Sequence, residues 1–340
     1  MAKEKNTSTV LVIGGSGFIG TRLCRILLDR GLEVRIFDRA TTPEHRELTT
    51  VGDVRNGAQL MAACAGVDSI VHLAAEHRDD VQPLSRYQEV NVDGATAVAA
   101  AAAANSVDTI VFTSSVAIYG LDKNDAAEDS VPEPFNEYGR TKLAAEEVFG
   151  TWADEDAHRS LVIVRPCVVF GEGNRGNVYN LTRQVASGRF LMVGKGNNRK
   201  SMAYVGNIVE YLADCLRAPA GKQISNFADK PDLSTRELMG VLRGCLNKPS
   251  ESRLGLPLSV GLAAGHVLDL AARVTGRTFP ISAIRIRKFA SDTTVNTDRL
   301  VASGYRPRYS LADALRLTVA SEFPDRSAAA QRPGTAAASR

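Results

Sequence analysis

Tyr138 and Lys142 stand four residues apart in a segment that is predicted to be helical, so their side chains lie one turn apart on the same face. A phenol ordinarily ionises near pH ~10, and a neighbouring ammonium favours the phenolate, which can then serve as a base closer to neutral pH. Ser115 ends a predicted strand, where its hydroxyl can donate a hydrogen bond to a substrate oxygen while Tyr138 takes the proton. Taken singly, a Tyr-x-x-x-Lys pair is common on solvated helix faces, and a loop serine commonly caps a helix. Their combination favours acid–base catalysis.

A glycine-rich segment, Gly14–Gly20, follows a predicted strand directly and opens a predicted helix. In that context a Gly-x-x-Gly-x-x-Gly pattern indicates dinucleotide binding. Gly14 is expected to make the tight turn, and Gly17 to let the backbone approach a pyrophosphate. The N-terminus of the helix offers free N–H groups and the positive end of its dipole to that anion. The alternative is a strand-to-helix connection without a ligand.

Three further positions extend the predicted cofactor site. Asp38 closes the second predicted strand, where a carboxylate accepts hydrogen bonds from both ribose hydroxyls of an adenosine and repels a 2′-phosphate. NAD is therefore favoured over NADP, although an arginine in the position of Arg39 can accommodate the phosphate. Asp53 is expected beside the adenine, and Leu73–Ala75 supply small residues where the backbone passes close to the dinucleotide. Taken singly, each of these positions is more often a loop or core feature.

The elements that must position these residues alternate between strand and helix. The predicted strands are Thr9–Ile13, Val34–Phe37, Leu48–Val51, Ser69–Leu73, Thr109–Thr113 and Leu161–Val164. The predicted helices include Phe18–Arg30, Asn91–Ala104, Tyr138–Trp152, Val205–Leu216 and Thr235–Leu246. This order predicts an α/β fold, a doubly wound parallel Rossmann sheet with a smaller C-terminal substrate domain.

Three regions are expected along the chain. Residues 1–165 are predicted to form an NAD-binding Rossmann domain that carries the Tyr/Lys helix. Residues 166–324 are predicted to be mainly substrate-binding, with some segments returning to the sheet. Residues 325–340, rich in Ala, Ser, Pro and Gly, lack apolar side chains to bury and are predicted to be a disordered tail.

Composition excludes several classes of function. The 41 basic and 38 acidic residues are interleaved, without the run of one sign that is typical of nucleic-acid binding. Five scattered cysteines, without a Cys-x-x-Cys pair, indicate neither a zinc site nor a disulfide framework, and no histidine spacing suggests a metal. The N-terminal residues contain no apolar stretch, which predicts no signal peptide and a cytoplasmic location.

The order of these motifs resembles that of extended short-chain dehydrogenases, and nearly the whole chain is similar to the NAD-dependent sugar epimerase/dehydratase family. The resemblance implies that Lys142 also holds the nicotinamide ribose and that Asn91 and Cys167 border the cofactor. Ile13 departs from the family pattern, which has threonine before the first glycine. The expected cofactor-binding residues are Gly14, Gly17, Phe18, Ile19, Gly20, Asp38, Asp53, Val54, Leu73, Ala74, Ala75, Asn91, Tyr138, Lys142 and Cys167.

The family's 4,6-dehydratases place an Asp-Glu pair directly after the catalytic Ser or Thr, whereas this chain has Val116-Ala117, so dehydration is disfavoured. The expected reaction is hydride removal from C4 of a sugar to retained NAD and its return to either face of a 4-keto intermediate, which epimerises C4. The alternatives are a UDP-sugar 4-epimerase, an NAD(P)-dependent 4-keto sugar reductase, and a non-catalytic dinucleotide-sensing protein.

Longer strings in the chain are similar to those of bacterial epimerases that act on N-acetylglucosaminyl-diphospho-undecaprenol in O-antigen or surface polysaccharide synthesis. The resemblance implies a sugar diphosphate substrate, nucleotide- or polyprenyl-linked, contacted by Ser115, Tyr138, Arg175, Asn177 and Lys200. Lys200 stands where UDP-sugar enzymes commonly carry arginine, so a point charge replaces a bidentate grip. The alternative for Arg175 and Lys200 is a solvated basic rim.

The segment Leu254–Val274 has a broad apolar face, flanked by basic residues. It predicts either a helix covering the core of the small domain or peripheral contact with the inner face of the cell membrane. A homodimer is also expected.

Overall fold

The computed structural model describes residues 8–78, 81–188, 190–249, 255–275 and 283–327 of the chain. Within these ranges the strands are β1 Thr9–Ile13, β2 Glu33–Asp38, β3 Thr49–Val51, β4 Ser69–His72, β5 Thr109–Thr113, β6 Lys123–Ala126, β7 Ser160–Pro166, β8 Val168–Phe170, β9 Met192–Val193, β10 Arg199–Tyr204, β11 Gly221–Phe227, β12 Asp229–Ser234, β13 Gly255–Leu256 and β14 Thr293–Val295.

The helices, again within the described ranges, are α1 Phe18–Asp29, α2 Gly57–Ala63, α3 Ser85–Gln88, α4 Gly94–Ala104, α5 Glu137–Asp154, α6 Asn177–Ser187, α7 Val205–Cys215, α8 Thr235–Cys245, α9 Leu258–Thr275, α10 Ala283–Ala290, α11 Asp298–Ala302, α12 Leu311–Glu322 and α13 Pro324–Ser327. A π-helical turn, Glu89–Asp93, leads into α4, and a 3-10 turn, Val116–Tyr119, follows β5.

The main sheet has seven strands in the order β11-β7-β5-β4-β1-β2-β3, and every pairing in it is parallel. The predicted doubly wound sheet is therefore confirmed. The strands alternate their buried side chains between two cores: in β1, Val10 and Val12 pack on the face that also buries α1 and α7, whereas Leu11 and Ile13 pack with α2, α4 and α5. Burial of both faces explains why the central strands β1, β4 and β5 are mostly apolar.

A second sheet contains strands from the C-terminal region and one from the first half of the chain. Its order is β12-β10-β14-β6, with β8 also paired to β10. The edge strand β11 of the main sheet, which pairs with β7, comes from residues 166–324.

Element bounds differ from the predictions in small ways. β3 begins at Thr49 because Leu48 belongs to a 3-10 turn, and Asn91 lies in the π-helical turn instead of the first turn of α4. Of the predicted tail, residues 325–327 end the short helix α13, and residues 328–340 lie outside the described residues. Among the described residues, no helix combines the length and the apolarity needed to cross a bilayer.

Candidate active site

All strands of the main sheet are parallel, so their carboxyl ends meet at one edge. Four of the predicted positions follow such ends directly or within two residues: Gly14 after β1, Leu73 after β4, Ser115 after β5 and Cys167 after β7. Asp38 is the last residue of β2. The topology therefore brings the residues of the glycine loop and the serine segment to the same edge.

The glycine loop packs tightly against the backbone after β4 and against its own backbone. Gly14 has φ +86°, and a Cβ on it would lie 2.6 Å from the backbone nitrogen of Ala74. A Cβ on Gly20 would lie 2.4 Å from the carbonyl oxygen of Gly14. Side chains at these two positions would force the loop apart. Helix α1 starts directly afterwards, its N-cap Gly17 supplies no side-chain cap and its first turn carries no acid, so its N-terminus suits an anion.

The carboxylate of Asp38 is hydrogen-bonded to the backbone of this loop. Its Oδ2 accepts a hydrogen bond from Ser16 N at 3.0 Å, and its Oδ1 accepts one from Ala40 N at 3.2 Å. The carboxylate is half-buried. It therefore lies beside the glycine loop, where the sequence predicted a residue that binds the ribose.

Asp53 has a partner within the protein. Arg55 donates to both of its carboxylate oxygens, at 3.0 and 2.8 Å, and these hydrogen bonds hold the pKa of Asp53 below its ordinary value. Val54 is buried against Gly94, where an added Cβ would lie 3.1 Å from the Cγ2 of Val54. Both residues are therefore part of a well-packed turn.

The backbone after β4 continues the pairing with β1. Leu73 N and Ala74 N both donate to the carbonyl oxygen of Ile13, at 2.8 and 3.1 Å. Asn91 then ties this segment to α5: its Oδ1 accepts from Glu76 N at 2.7 Å, and its Nδ2 donates to Glu76 O and to Thr141 Oγ1. The buried amide of Asn91 thus links the chain after β4 to the helix that carries Tyr138 and Lys142.

Ser115 is the N-cap of the 3-10 turn after β5, because its Oγ accepts a hydrogen bond from Ala117 N at 3.1 Å. Its hydroxyl also acts on the Tyr138 phenol, whose pKa it lowers. Burial raises the pKa of the Tyr138 phenol, and Ser115 partly opposes this shift. Ser115 therefore both caps the 3-10 turn and lies next to the phenol of Tyr138.

Lys142 lies one turn after Tyr138 on α5 and is only 2% exposed. Its Nζ lies 4.1 Å from the centroid of the Phe112 ring, at a distance that suits a cation–π contact. Burial lowers the pKa of Lys142 to about 7, and the carboxylate of Glu146 opposes that shift. The ammonium is thus close to its titration point at neutral pH.

His72 lies at the end of β4, stacked on Phe112 and edge-on to Phe149, with ring centroids 5.6 Å apart in both cases. Within the described part of the chain, neither of its ring nitrogens has a hydrogen-bond partner. Burial, together with the charge of Lys142, lowers the pKa of His72 to about 3. The imidazole is therefore neutral in the folded protein at ordinary pH.

Cys167 is buried after β7, and its backbone N donates to Phe227 O at 3.0 Å. Burial raises the pKa of its thiol to about 12. The side chain is therefore a small apolar group at neutral pH.

Arg175, Asn177 and Lys200, which are predicted to bind the diphosphate or sugar, differ in their exposure and in their partners within the protein. Arg175 is exposed, forms an ion pair with Glu322 at the end of α12, and stacks on Tyr179 at 4.3 Å from the ring centroid. Asn177 is exposed at the first position of α6. Lys200 is largely buried: its Nζ donates to Ser291 O at 3.0 Å, and burial lowers its pKa to about 8.

Two features escaped the sequence-based prediction. One is the partner of Arg175, because Glu322 lies 147 residues further along the chain. The other is a buried ion pair between Arg165 on β7 and Glu146 on α5. An arginine inside an otherwise apolar strand was a signal for the second feature, and nothing in the local pattern marks the first.

Comparison with known proteins identifies the family. Residues 10–227 match the model of the NAD dependent epimerase/dehydratase family. The chain is 44% identical over 316 residues to N-acetyl-alpha-D-glucosaminyl-diphospho-ditrans,octacis-undecaprenol 4-epimerase of Escherichia coli O157:H7, covering 92% of this chain and 95% of that protein. It is 29% identical over 294 residues to UDP-glucose 4-epimerase of Vibrio cholerae, covering 80% and 87%.

The fold is likewise that of a solved epimerase. The structure of Thermus thermophilus UDP-glucose 4-epimerase in complex with NAD superposes with a TM-score of 0.72 at 23% identity, covering 92% of this chain and 98% of that one. Sequence and fold thus agree, and the chain belongs to the NAD dependent epimerase/dehydratase family.

Proposed function

We propose that this protein is an NAD-dependent C4 epimerase that interconverts N-acetylglucosamine and N-acetylgalactosamine on a diphosphate-linked substrate. The observation that carries the proposal is the packing of the start of α5 on the turn that Ser115 caps: a Cβ on Gly139, next to Tyr138, would lie 2.6 Å from the carbonyl oxygen of Ala117. Ser115 and Tyr138 therefore lie together, one turn before the buried Lys142. This arrangement supplies one base, one hydrogen-bond donor and one cation, which is the set that C4 oxidation and reduction require.

In the proposed reaction, Tyr138 as phenolate takes the proton of the C4 hydroxyl, and Ser115 donates a hydrogen bond to the same oxygen. Lys142 favours the phenolate by its charge. NAD held by the glycine loop would supply the hydride chemistry: it would accept the hydride of C4 and return it to either face of the 4-keto sugar. Tyr138 then returns the proton to the oxygen, so protons and electrons balance over the cycle. Val116 and Ala117 supply no acid or base that would expel water from the sugar.

The residues of the glycine loop fit a dinucleotide. Gly14 and Gly20 let the loop pack closely on the backbone of Ala74 and on itself, and the start of α1, with no side-chain cap and no acid in its first turn, offers main-chain N–H groups to a pyrophosphate. Ser16 Oγ is buried and has no hydrogen-bond partner among the residues described, which leaves a donor for a ligand oxygen. We propose that Gly17, Phe18 and Ile19 hold the pyrophosphate.

The other cofactor contacts stay predictions. Asp38 is proposed to bind the adenosine ribose, Asp53 and Val54 to border the adenine, and Lys142 to bind the nicotinamide ribose. Leu73–Ala75, Asn91 and Cys167 are proposed to form the wall along the dinucleotide, since their backbone lies at the carboxyl edge of the sheet.

We propose undecaprenyl diphosphate as the carrier of the sugar, and O-antigen or surface polysaccharide synthesis as its destination. The support is the high identity to the Escherichia coli O157:H7 4-epimerase over nearly the full length of both proteins, compared with 29% to a UDP-glucose 4-epimerase. Arg175, Asn177 and Lys200 are proposed to contact the diphosphate and sugar.

One assay separates the candidate substrates. Purified protein is offered UDP-N-acetylglucosamine and its undecaprenyl-diphosphate counterpart at equal concentration, and release of N-acetylgalactosamine is measured after mild acid. A kcat/KM for the lipid-linked sugar that is higher by about 10-fold or more, or about 1.4 kcal/mol in transition-state binding, supports the proposal. Preference for the UDP-sugar contradicts the carrier assignment, and stoichiometric consumption of NAD(P)H with a 4-keto sugar would identify a reductase.

Peripheral contact with the membrane is proposed through α9. Its buried side carries Gly261 and Gly265, whereas Val260 and Val267 on the other side are 50% and 66% exposed. Arg287 on α10 is exposed nearby in sequence. Such an apolar face with flanking charge suits the headgroup boundary of an anionic bilayer. The predicted contributions of Arg253 and Arg277 lie outside the described residues, as do the side chains of Arg273, Arg285 and Lys288.

Flotation with anionic liposomes tests this contact. Val267→Glu should leave the protein at the bottom of the gradient without changing its thermal stability, because the side chain is exposed. Val131→Glu, at a similarly exposed valine outside α9, is the matched control and should float. Failure of the unmodified protein to float at low salt contradicts the proposal. A homodimer also stays a prediction, which sedimentation equilibrium measures.

A further inference from the structure

A network of buried polar side chains lies next to the proposed active site. At its centre is Arg165 on β7, which is 4% exposed. Its Nε and Nη2 donate to the two carboxylate oxygens of Glu146 at 3.0 and 2.6 Å. Its Nη1 donates to Tyr119 Oη at 2.7 Å and to the carbonyl oxygen of Glu128 at 2.9 Å. The guanidinium is therefore held from three separate segments of the chain.

The network continues through Tyr119 to the edge strand of the sheet. The Tyr119 hydroxyl donates to Asn226 Oδ1 at 2.7 Å, and Asn226 N donates to Glu128 Oε1 at 2.7 Å. Asn226 Nδ2 also donates to Ala126 O at 2.9 Å. Each of these buried polar groups thus has a partner, as a rigid network requires.

The two ends of the network lie on the two elements that carry the proposed catalytic groups. Glu146 follows Lys142 by one turn on α5, and Tyr119 ends the 3-10 turn that Ser115 caps. The pair Arg165–Glu146 joins α5 to β7, and the bond from Arg165 to Tyr119 joins β7 to that turn. A change in the network would therefore move Ser115 relative to Tyr138.

A buried ion pair of this kind adds little net stability, because desolvation of both charges offsets their attraction. The ion pair instead bears on the placement of Ser115 relative to Tyr138 and on the charge near Lys142. Arg165 bonds to Glu146, Tyr119 and Glu128, and Tyr119 bonds to Arg165 and Asn226. Both residues thus act on the chemistry through the elements they join.

Among the described residues, Glu146 supplies a counter-charge to Lys142, because its carboxylate raises the pKa of the ammonium. From β4 the ammonium is faced by the neutral His72, from β5 by Phe112, and from its own helix by Tyr138 and Glu146. The positive charge of Arg165 is paired with the same Glu146 carboxylate. The π-helical turn contributes the uncharged amide of Asn91, through Thr141.

We propose that Arg165, Glu146 and Tyr119 are positioning residues for the epimerase reaction: the network fixes the spacing of Ser115 and Tyr138, and Glu146 keeps Lys142 in its cationic form. This inference rests on the proposed function, since it assigns these residues to the same site. The network therefore acts on kcat and on its pH dependence, and not on binding of the sugar.

Tyr119→Phe tests the geometric part, because it removes one hydroxyl and leaves the ion pair intact. We expect kcat to fall about 10-fold, with KM unchanged, since small misplacements of reacting groups are costly. The matched control is Tyr211→Phe on α7, which removes the hydroxyl of another buried tyrosine, hydrogen-bonded to Ser225 at 2.8 Å. A kcat for Tyr119→Phe within about twofold of that control, measured well below both melting temperatures, overturns this part.

Glu146→Gln tests the electrostatic part. Loss of the carboxylate should let Lys142 deprotonate at lower pH, so the alkaline limb of the kcat profile should move down by about one pH unit. Because Glu146→Gln leaves the Arg165 charge unpaired, the double variant Glu146→Gln/Arg165→Met is measured beside it and keeps the test valid if the single variant does not fold. An alkaline limb that stays in place in the folded variant overturns this part. If neither variant folds, the kcat of Tyr119→Phe decides whether the network positions the catalytic groups.

Tyr138→Phe distinguishes failure of this inference from failure of the proposed function. If Tyr138→Phe is inactive while Tyr119→Phe and the Glu146 variants behave as wild type, the network has no positioning role and the active site stands. If Tyr138→Phe is fully active, the proposed active site is wrong, and the inference falls with it.

Discussion

The guanidinium of Arg175 is paired with the carboxylate of Glu322, so the loop before α6 is tied to the end of α12. The other carboxylate oxygen of Glu322 accepts a hydrogen bond from Gly173 N. Phe323 adds a stacking contact with Tyr179, at 5.7 Å between ring centroids. Arg175, which is predicted to bind the diphosphate, is thus paired with the carboxylate of Glu322. A substrate diphosphate must share the guanidinium with this carboxylate or displace it.

Arg175→Ala should therefore raise KM for the diphosphate substrate by about 10-fold with little change in kcat, as expected for loss of a charge-assisted contact. Glu322→Gln should lower KM by a few-fold, because the carboxylate no longer competes for the guanidinium. Steady-state kinetics measure both. Arg183→Ala, at an exposed arginine further along α6, is the control. An unchanged KM for Arg175→Ala would assign this residue to a solvated rim.

Tyr138→Phe should lower kcat by about 10²–10⁴-fold, the usual contribution of general acid–base catalysis. The ring keeps its packing, so NAD should stay bound, and the amount of bound cofactor can be read from its absorbance after denaturation. Since burial raises the pKa of the free phenol, the phenolate depends on the charge of Lys142, so activity should rise with pH as the phenolate forms and fall again where Lys142 loses its proton. Near wild-type turnover in this variant would exclude Tyr138 as the base.

Asp38→Ala should weaken binding of NAD more than binding of NADP. The change deletes acceptors for the ribose hydroxyls and a charge that repels the 2′-phosphate, and it leaves Arg39 available to that phosphate. Ser16 N loses its acceptor as well, so the loop itself loosens. Isothermal titration with both cofactors measures the ratio of Kd values. Asp53→Ala is the control for this ratio, because a residue beside the adenine affects both cofactors equally. If the ratio does not change, Asp38 does not select the cofactor.

Those features of the candidate site that depend on the local spacing of residues could be predicted from the sequence. Tyr138 and Lys142 share a helix face because of their separation, and Gly14 is recognisable because a positive φ after a strand requires glycine. Arg165 inside an apolar strand indicates a buried partner, but that this partner is Glu146 depends on how α5 packs against β7, which no local pattern encodes. The same holds for the pairing of Arg175, because only the tertiary fold brings α12 to the loop before α6.

His72 gives a prediction for stability that is independent of catalysis. Its pKa is lowered to about 3, above all by burial, so the native protein keeps the imidazole neutral, whereas the unfolded chain binds a proton below about pH 6.5. The unfolded state then binds more protons than the native state. Stability is therefore lost as the pH falls from about 6.5 towards 3, by at most about 1.4 kcal/mol per pH unit.

His72→Phe should reduce this slope, because phenylalanine cannot titrate and fits between Phe112 and Phe149. Urea denaturation at several pH values between about 4 and about 7 measures the slope for each variant. His158→Gln, at an exposed histidine, should keep the wild-type slope. Equal slopes for wild type and His72→Phe would mean that His72 is protonated in the folded protein, with a partner that stabilises its charge.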